Sequence, residues 1–125
     1  AREVNNNKTV WVIEQIKLAA ADANAKTGKK PKIACLGLAF KPDIDDLRES
    51  PALEVARVLS AQEYDVSAVE PNVSSHPEFL LLSVDAAINE CDVVAVLVKH
   101  REFLVSDVRE RLFQVCSLDF CGALA

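Results

Sequence analysis

At 125 residues, half of them hydrophobic and 26% charged, the chain has the composition of one globular domain with a real core, too short for two. Its 14 basic against 19 acidic side chains leave a formal charge of −5, which argues against a nucleic-acid partner. No apolar run approaches the length of a membrane span, and no charged-then-apolar leader opens the sequence.

Residues from about Glu3 to Lys26 contain neither Gly nor Pro, and Val12, Ile16, Ala19 and Ala23 make an apolar stripe at helical spacing. Thr27-Gly28 supplies a helix stop, with Pro31 just beyond. A long helix therefore precedes everything else. It reads either as a packing helix or as the end of a connector. The chain also contains no Met and opens on Ala1-Arg-Glu-Val-Asn5 without a capping signal, so a piece of a longer protein is expected.

Lys32 to Leu38 is an apolar run bounded by turn signals and reads as a buried strand. A polar loop follows, and Ser50-Pro51 opens a helix to about Gln62 whose packing face is Ala52, Val55, Ala56 and Leu59. Tyr64 to Val69 is the next strand, closed by Glu70-Pro71-Asn72, and Val73 to Phe79 is a loop in which Pro77 bars a central strand. Leu80 to Val84 is a short apolar element, Asp85 to Glu90 a brief helix, and Asp92 to Val98 the most strongly buried strand. Helical residues surround Phe103 to Leu112, and Val115 to Phe120 reads as a last strand. This alternation predicts an α/β fold: three α/β/α layers, a mostly parallel Rossmann-like sheet, and a long helix in front.

The candidate site is the stretch Gly37-Leu-Ala-Phe-Lys41-Pro-Asp-Ile-Asp-Asp46-Leu-Arg48-Glu-Ser50-Pro51. It joins the end of a strand to the start of a helix, the place where open α/β sheets bind ligands. Helix N-termini favour anions, and Lys41 and Arg48 add two cations, so a phosphorylated or otherwise anionic ligand is expected.

Other readings of these residues are weaker. A dinucleotide fingerprint wants Gly-x-Gly-x-x-Gly, and two of its three glycines are absent after Gly37. Glu70 then stands where a ribose-binding acid would, but is read as ending its strand on the solvated rim. Asp43, Asp45, Asp46 and Glu49 read as a solvated loop with local ion pairs rather than a metal cluster, and Asp45 and Asp46 also suit hydrogen bonds that hold the loop shape. An acidic pair for phosphorylation would need an Asp ending the central strand, where Lys99-His100 follows Val98 instead. His100 is at the right rim for a site, yet a lone histidine there is more often incidental. The cysteines, Cys35, Cys91, Cys116 and Cys121, include no Cys-x-x-Cys pair, so neither zinc nor a disulfide framework is expected, and a reduced, cytosolic protein is. No catalytic constellation is visible from the residues alone.

The run from Gly37 to Glu54 resembles the signature of the nucleotide-sugar 6-dehydrogenases, the UDP-glucose/GDP-mannose dehydrogenase family. Further similarity lies in Ala1 to Asn5, Val69-Glu-Pro-Asn72, Ala87 to Val98, and His100 with Phe103. The resemblance implies that residues 1–30 are the end of a central connecting and dimerisation helix and 31–125 a C-terminal domain that binds the nucleotide sugar. It implies substrate contacts from Phe40 and Lys41, and a cofactor contact from Arg48 to an NAD held mainly by an N-terminal domain outside this chain. It implies no catalytic role for any of the four cysteines and no metal. The expected partners are a nucleotide sugar and, in the full-length enzyme, a second copy of the chain; the expected location is the cytoplasm. The expected reaction is the double oxidation of a sugar C6 alcohol to a carboxylate by two NAD, passing through a thiohemiacetal and a thioester on a cysteine upstream of Ala1, so this chain alone is expected to be inactive. The run Ile44-Asp-Asp-Leu-Arg-Glu-Ser-Pro51 resembles the loop of the family members that act on UDP-N-acetyl-D-mannosamine, which the resemblance implies as the substrate. UDP-glucose, or a non-catalytic nucleotide-binding or dimerisation module, stands as the alternative.

Overall fold

A computed structural model describes residues 2–38, 51–71, 75–98, 100–115 and 117–120. Helix α1 (Arg2–Thr27) leads into β1 (Lys32–Leu36), followed by α2 (Pro51–Ala61) and β2 (Asp65–Val69). Then come β3 (Leu80–Leu81), α3 (Val84–Glu90), β4 (Val93–Val96), a single 3₁₀ turn at Arg101–Phe103, α4 (Ser106–Phe113) and β5 (Ser117–Asp119). The five strands form one sheet in the order β3-β2-β1-β4-β5, and every pairing is parallel. The predicted α/β class, parallel sheet and leading helix are all present.

Parallel strands need crossovers, and the crossovers cover both faces, so the central strands must be apolar on both sides. The side chains sort accordingly. Ile33 and Cys35 of β1 and Val93 and Ala95 of β4 enter one core with Leu53, Val55, Ala56 and Leu59 of α2 and Val12, Ile13, Ile16 and Ala20 of α1. Ala34 and Leu36 of β1 and Val94 and Val96 of β4 enter the other, with Ala87 and Ile88 of α3, Phe103 and Leu112. Alternation along each strand thus builds two cores from one apolar run, and each fully buried aliphatic side chain contributes about 1.5–3 kcal/mol.

Of the predicted α1 stripe, Val12 and Ile16 are buried, while Ala19 and Ala23 are half-buried against the same core. The helix ends where expected. Gly28 sits at φ +70°, its N–H donating to the Asn24 carbonyl at 2.8 Å, and the Thr27 hydroxyl bonds back to Ala23.

The strands are shorter than expected: β2 starts at Asp65 rather than Tyr64, β4 spans Val93–Val96 rather than Asp92 to Val98, and β5 spans Ser117–Asp119 rather than Val115 to Phe120. The apolar stretch predicted over Leu80 to Val84 yields only a two-residue edge strand, because Ser83 caps α3, its Oγ accepting from the Ala86 N–H at 3.1 Å. Strand β1 stops at Leu36 rather than Leu38, because Gly37 turns to φ +99°.

Candidate functional site

The strand order reverses direction at β1: the chain moves outward to β2 and β3, then returns to add β4 and β5 on the other side. The carboxyl ends of β1 and β4 therefore flank the crevice in which such sheets bind ligands. The candidate stretch departs from this point, running from Gly37 to the first turn of α2 at Pro51.

Its first two residues are tightly fixed. The Gly37 N–H donates to the Val69 carbonyl at 2.8 Å, extending the β1–β2 ladder by one bond. On the other side, the Leu97 and Val98 N–H groups both donate to the Leu36 carbonyl, at 2.9 and 3.2 Å. A Cβ at position 37 would stand 2.5 Å from Val98 Cβ, so the two backbones approach too closely for any other residue.

The next N–H leaves the ladder. Leu38 donates not to a carbonyl but to Glu70 Oε1, at 2.8 Å. The same oxygen lies 3.0 Å from His100 Nε2. Both side chains are fully enclosed. A carboxylate only accepts, so the imidazole carries a proton on Nε2. His100 is held in turn by the Phe103 ring, whose centroid is 5.6 Å away, and by its own N–H, which donates to the Val98 carbonyl. The ends of β1, β2 and β4 are thus joined by one buried polar cluster at Leu38, the last described residue before the loop.

This corrects the reading of Glu70 as a residue of the solvated rim: it is 3% exposed. Burying a carboxylate is costly unless it is paired and hydrogen-bonded, and here two N–H donors meet it. It also corrects the reading of His100 as incidental. Sequence reasoning found both residues at strand ends but missed that they meet. The only available signal was their common place, each just past the carboxyl end of a central strand.

Phe40, Lys41 and Arg48, the residues expected to contact ligand, lie outside the described residues, as do Asp43, Asp45, Asp46, Glu49 and the cap residue Ser50. Among the described residues no group of three or more His, Cys, Asp or Glu side chains could hold a metal ion. Among them, too, no helix is long and apolar enough to cross a membrane.

The site also fails the fit for a dinucleotide. The turn after β1 carries one glycine, and the acid ending β2 spends its carboxylate on Leu38 and His100 rather than offering it to a ribose.

Burial disfavours the thiolate at both described cysteines. Burial, and secondarily Cys91, pushes Cys35 up from 9.0 to about 12; burial likewise raises Cys91. A reactive cysteine needs the opposite shift. Cys35 is therefore expected to resist a disulfide reagent at pH 8 until the chain unfolds. Because its folded-state value is raised, the stability it contributes is complete below about pH 9 and is lost as pH rises toward about 12. A Cys35→Ala chain should accordingly lose stability less steeply between pH 9 and 11, by up to about 1.4 kcal/mol per pH unit, in urea titrations at fixed pH.

Comparison with known proteins bears out the resemblance carried by the Gly37–Glu54 run. Residues 34–124 match the model of the UDP-glucose/GDP-mannose dehydrogenase family, UDP binding domain. The UDP-N-acetyl-D-mannosamine dehydrogenase of Escherichia coli K12 is 47% identical in an alignment 114 residues long that covers 84% of this chain and 27% of that protein. That of Campylobacter jejuni is 48% identical in an alignment 112 residues long that covers 83% of this chain and 26% of that protein. Among solved structures, the UDP-N-acetyl-mannosamine dehydrogenase of Staphylococcus aureus superposes with a TM-score of 0.67 at 30% identity, covering 82% of this chain and 23% of that one. The chain spans about a quarter of the length of these relatives.

Proposed function

The chain belongs to the UDP-glucose/GDP-mannose dehydrogenase family, matching its UDP-binding domain, and from that premise we propose that it holds the nucleotide sugar for an NAD-dependent dehydrogenase acting on UDP-N-acetyl-D-mannosamine. The observation that carries the substrate is the identity of 47–48% to two UDP-N-acetyl-D-mannosamine dehydrogenases from different bacteria. The geometry supports the binding role. A loop with two cations leaves the sheet at its switch point and runs into a helix N-terminus, an arrangement suited to a diphosphate.

In this reading Phe40 covers an apolar part of the ligand, and Lys41 sets an ammonium against the diphosphate. Arg48 turns its guanidinium fork toward an NAD bound mainly by another domain. The NAD supplies the oxidising chemistry, two per turnover, in converting the sugar C6 alcohol to UDP-N-acetyl-D-mannosaminuronate. The contribution of this chain is to bind and orient the substrate; alone it is inactive. We also propose that residues 1–30 are the end of a central helix through which two full-length chains pair, that 31–125 form the C-terminal domain, and that the enzyme works in the cytoplasm.

Calorimetric titration with UDP, UDP-N-acetyl-D-mannosamine, GDP and NAD tests the reading. UDP and its sugar conjugate are expected to bind, with GDP and NAD silent. Lys41→Ala should weaken UDP by roughly 10- to 100-fold, the equivalent of one lost charge-assisted contact. Preference for GDP, or UDP affinity unchanged by Lys41→Ala, would overturn it.

A further inference from the structure

Resting on that nucleotide reading, we propose that the buried Glu70–His100 pair is the positioning device of the ligand loop, setting nucleotide affinity through the backbone of Leu38 without touching the ligand itself. The argument begins with what the pair is not needed for. Two apolar side chains of similar volume could also fill the space between the ends of β2 and β4, since desolvation offsets much of the gain from pairing buried polar groups. The surrounding core is apolar: Leu36, Val69, Val96 and Phe103 are all buried beside it.

What apolar residues could not do is accept the Leu38 N–H. That donor stands where the β1 ladder ends, after Gly37 has turned away at φ +99°. Glu70 Oε1 takes it at 2.8 Å. His100 Nε2, at 3.0 Å from the same oxygen, keeps the carboxylate from rotating away. Three strands thereby fix the direction of one peptide, and the chain reaches Phe40 two residues later and Lys41 three residues later. A peptide fixed at the root of a ligand-binding segment before the ligand arrives leaves less entropy to lose on binding, which is how a contact remote from the ligand raises affinity.

The test compares the unsubstituted chain with His100→Leu, His100→Gln and Ile16→Ala. Each is titrated with UDP at a temperature where circular dichroism shows it fully folded, and exchange of the Leu38 amide is followed by NMR. The glutamine amide nitrogen can stand in for Nε2 as a donor to Glu70; leucine cannot. Ile16, fully buried on the inner face of α1, controls for loss of stability as such. His100→Leu is expected to speed Leu38 exchange and weaken UDP by roughly tenfold or more, as for a lost hydrogen bond to a charged group. His100→Gln should restore most of both, and Ile16→Ala should change neither.

If UDP binds all four chains alike, the positioning role is overturned while the nucleotide reading stands. UDP that fails to bind the unsubstituted chain overturns both. Should His100→Leu not fold, His100→Phe, a ring of similar size that cannot donate to Glu70, replaces it. Affinity and Leu38 protection falling together supports the proposal; affinity falling with protection intact overturns it.

Discussion

Replacing Gly37 by alanine is expected to cost about 2–5 kcal/mol, a large share of the roughly 5–15 kcal/mol that holds a domain of this size. Two independent effects combine. At φ +99° the backbone is in a region that residues with a Cβ rarely adopt. The added methyl would also stand 2.5 Å from Val98 Cβ, 2.9 Å from its Cγ2 and 3.0 Å from its backbone nitrogen. These are not the far ends of a flexible side chain. Cβ and N belong to the start of the segment that carries His100, and Val98 N–H is itself tied to the Leu36 carbonyl. Relief must therefore come by prising β1 from β4. A second substitution separates the two effects: Val98→Ala keeps the Cβ and should rescue little, whereas Val98→Gly removes both side-chain clashes and should recover part of the loss. Urea unfolding of the three variants measures this, and a Gly37→Ala chain as stable as the parent would refute the account.

The parts of the fold legible in the sequence are those governed by local pattern. The runs Lys32 to Leu38 and Asp92 to Val98 announce strands because both faces of the central sheet are covered, and α1 announces itself by its spacing and its glycine stop. What escaped local reasoning is long-range. Leu38 and Glu70 are 32 residues apart, and Glu70 and His100 are 30 apart. Only the parallel register, with Leu36 beside both Val69 and Val96, brings them together. A polar residue after a strand looks solvated when its neighbours are unknown, which is why Glu70 was assigned to the rim. The family was legible for a different reason: the 18-residue run from Gly37 to Glu54 is long enough to identify it, though no spacing within the run specifies a sugar nucleotide.

Glu70→Ala should be at least as damaging as the glycine substitution, about 3–5 kcal/mol, and for a reason that a double-mutant cycle can isolate. The single change deletes one acceptor but strands two donors, the Leu38 N–H and His100 Nε2, in a region closed to water. A buried donor without a partner costs about 1–3 kcal/mol, so most of the damage lies in what remains rather than in what is lost. Removing the second polar partner as well should then cost less than the two single changes together. Glu70→Ala combined with His100→Ala is expected to fall short of additivity by about 1–3 kcal/mol, since the imidazole no longer needs a partner once it is gone. Ile16→Ala, in the core that α1 covers, should by contrast add to Glu70→Ala without coupling. Additivity in the Glu70–His100 cycle would mean that the two side chains stabilise the sheet separately, and that their shared oxygen at the end of β2 carries no energetic connection between β1 and β4.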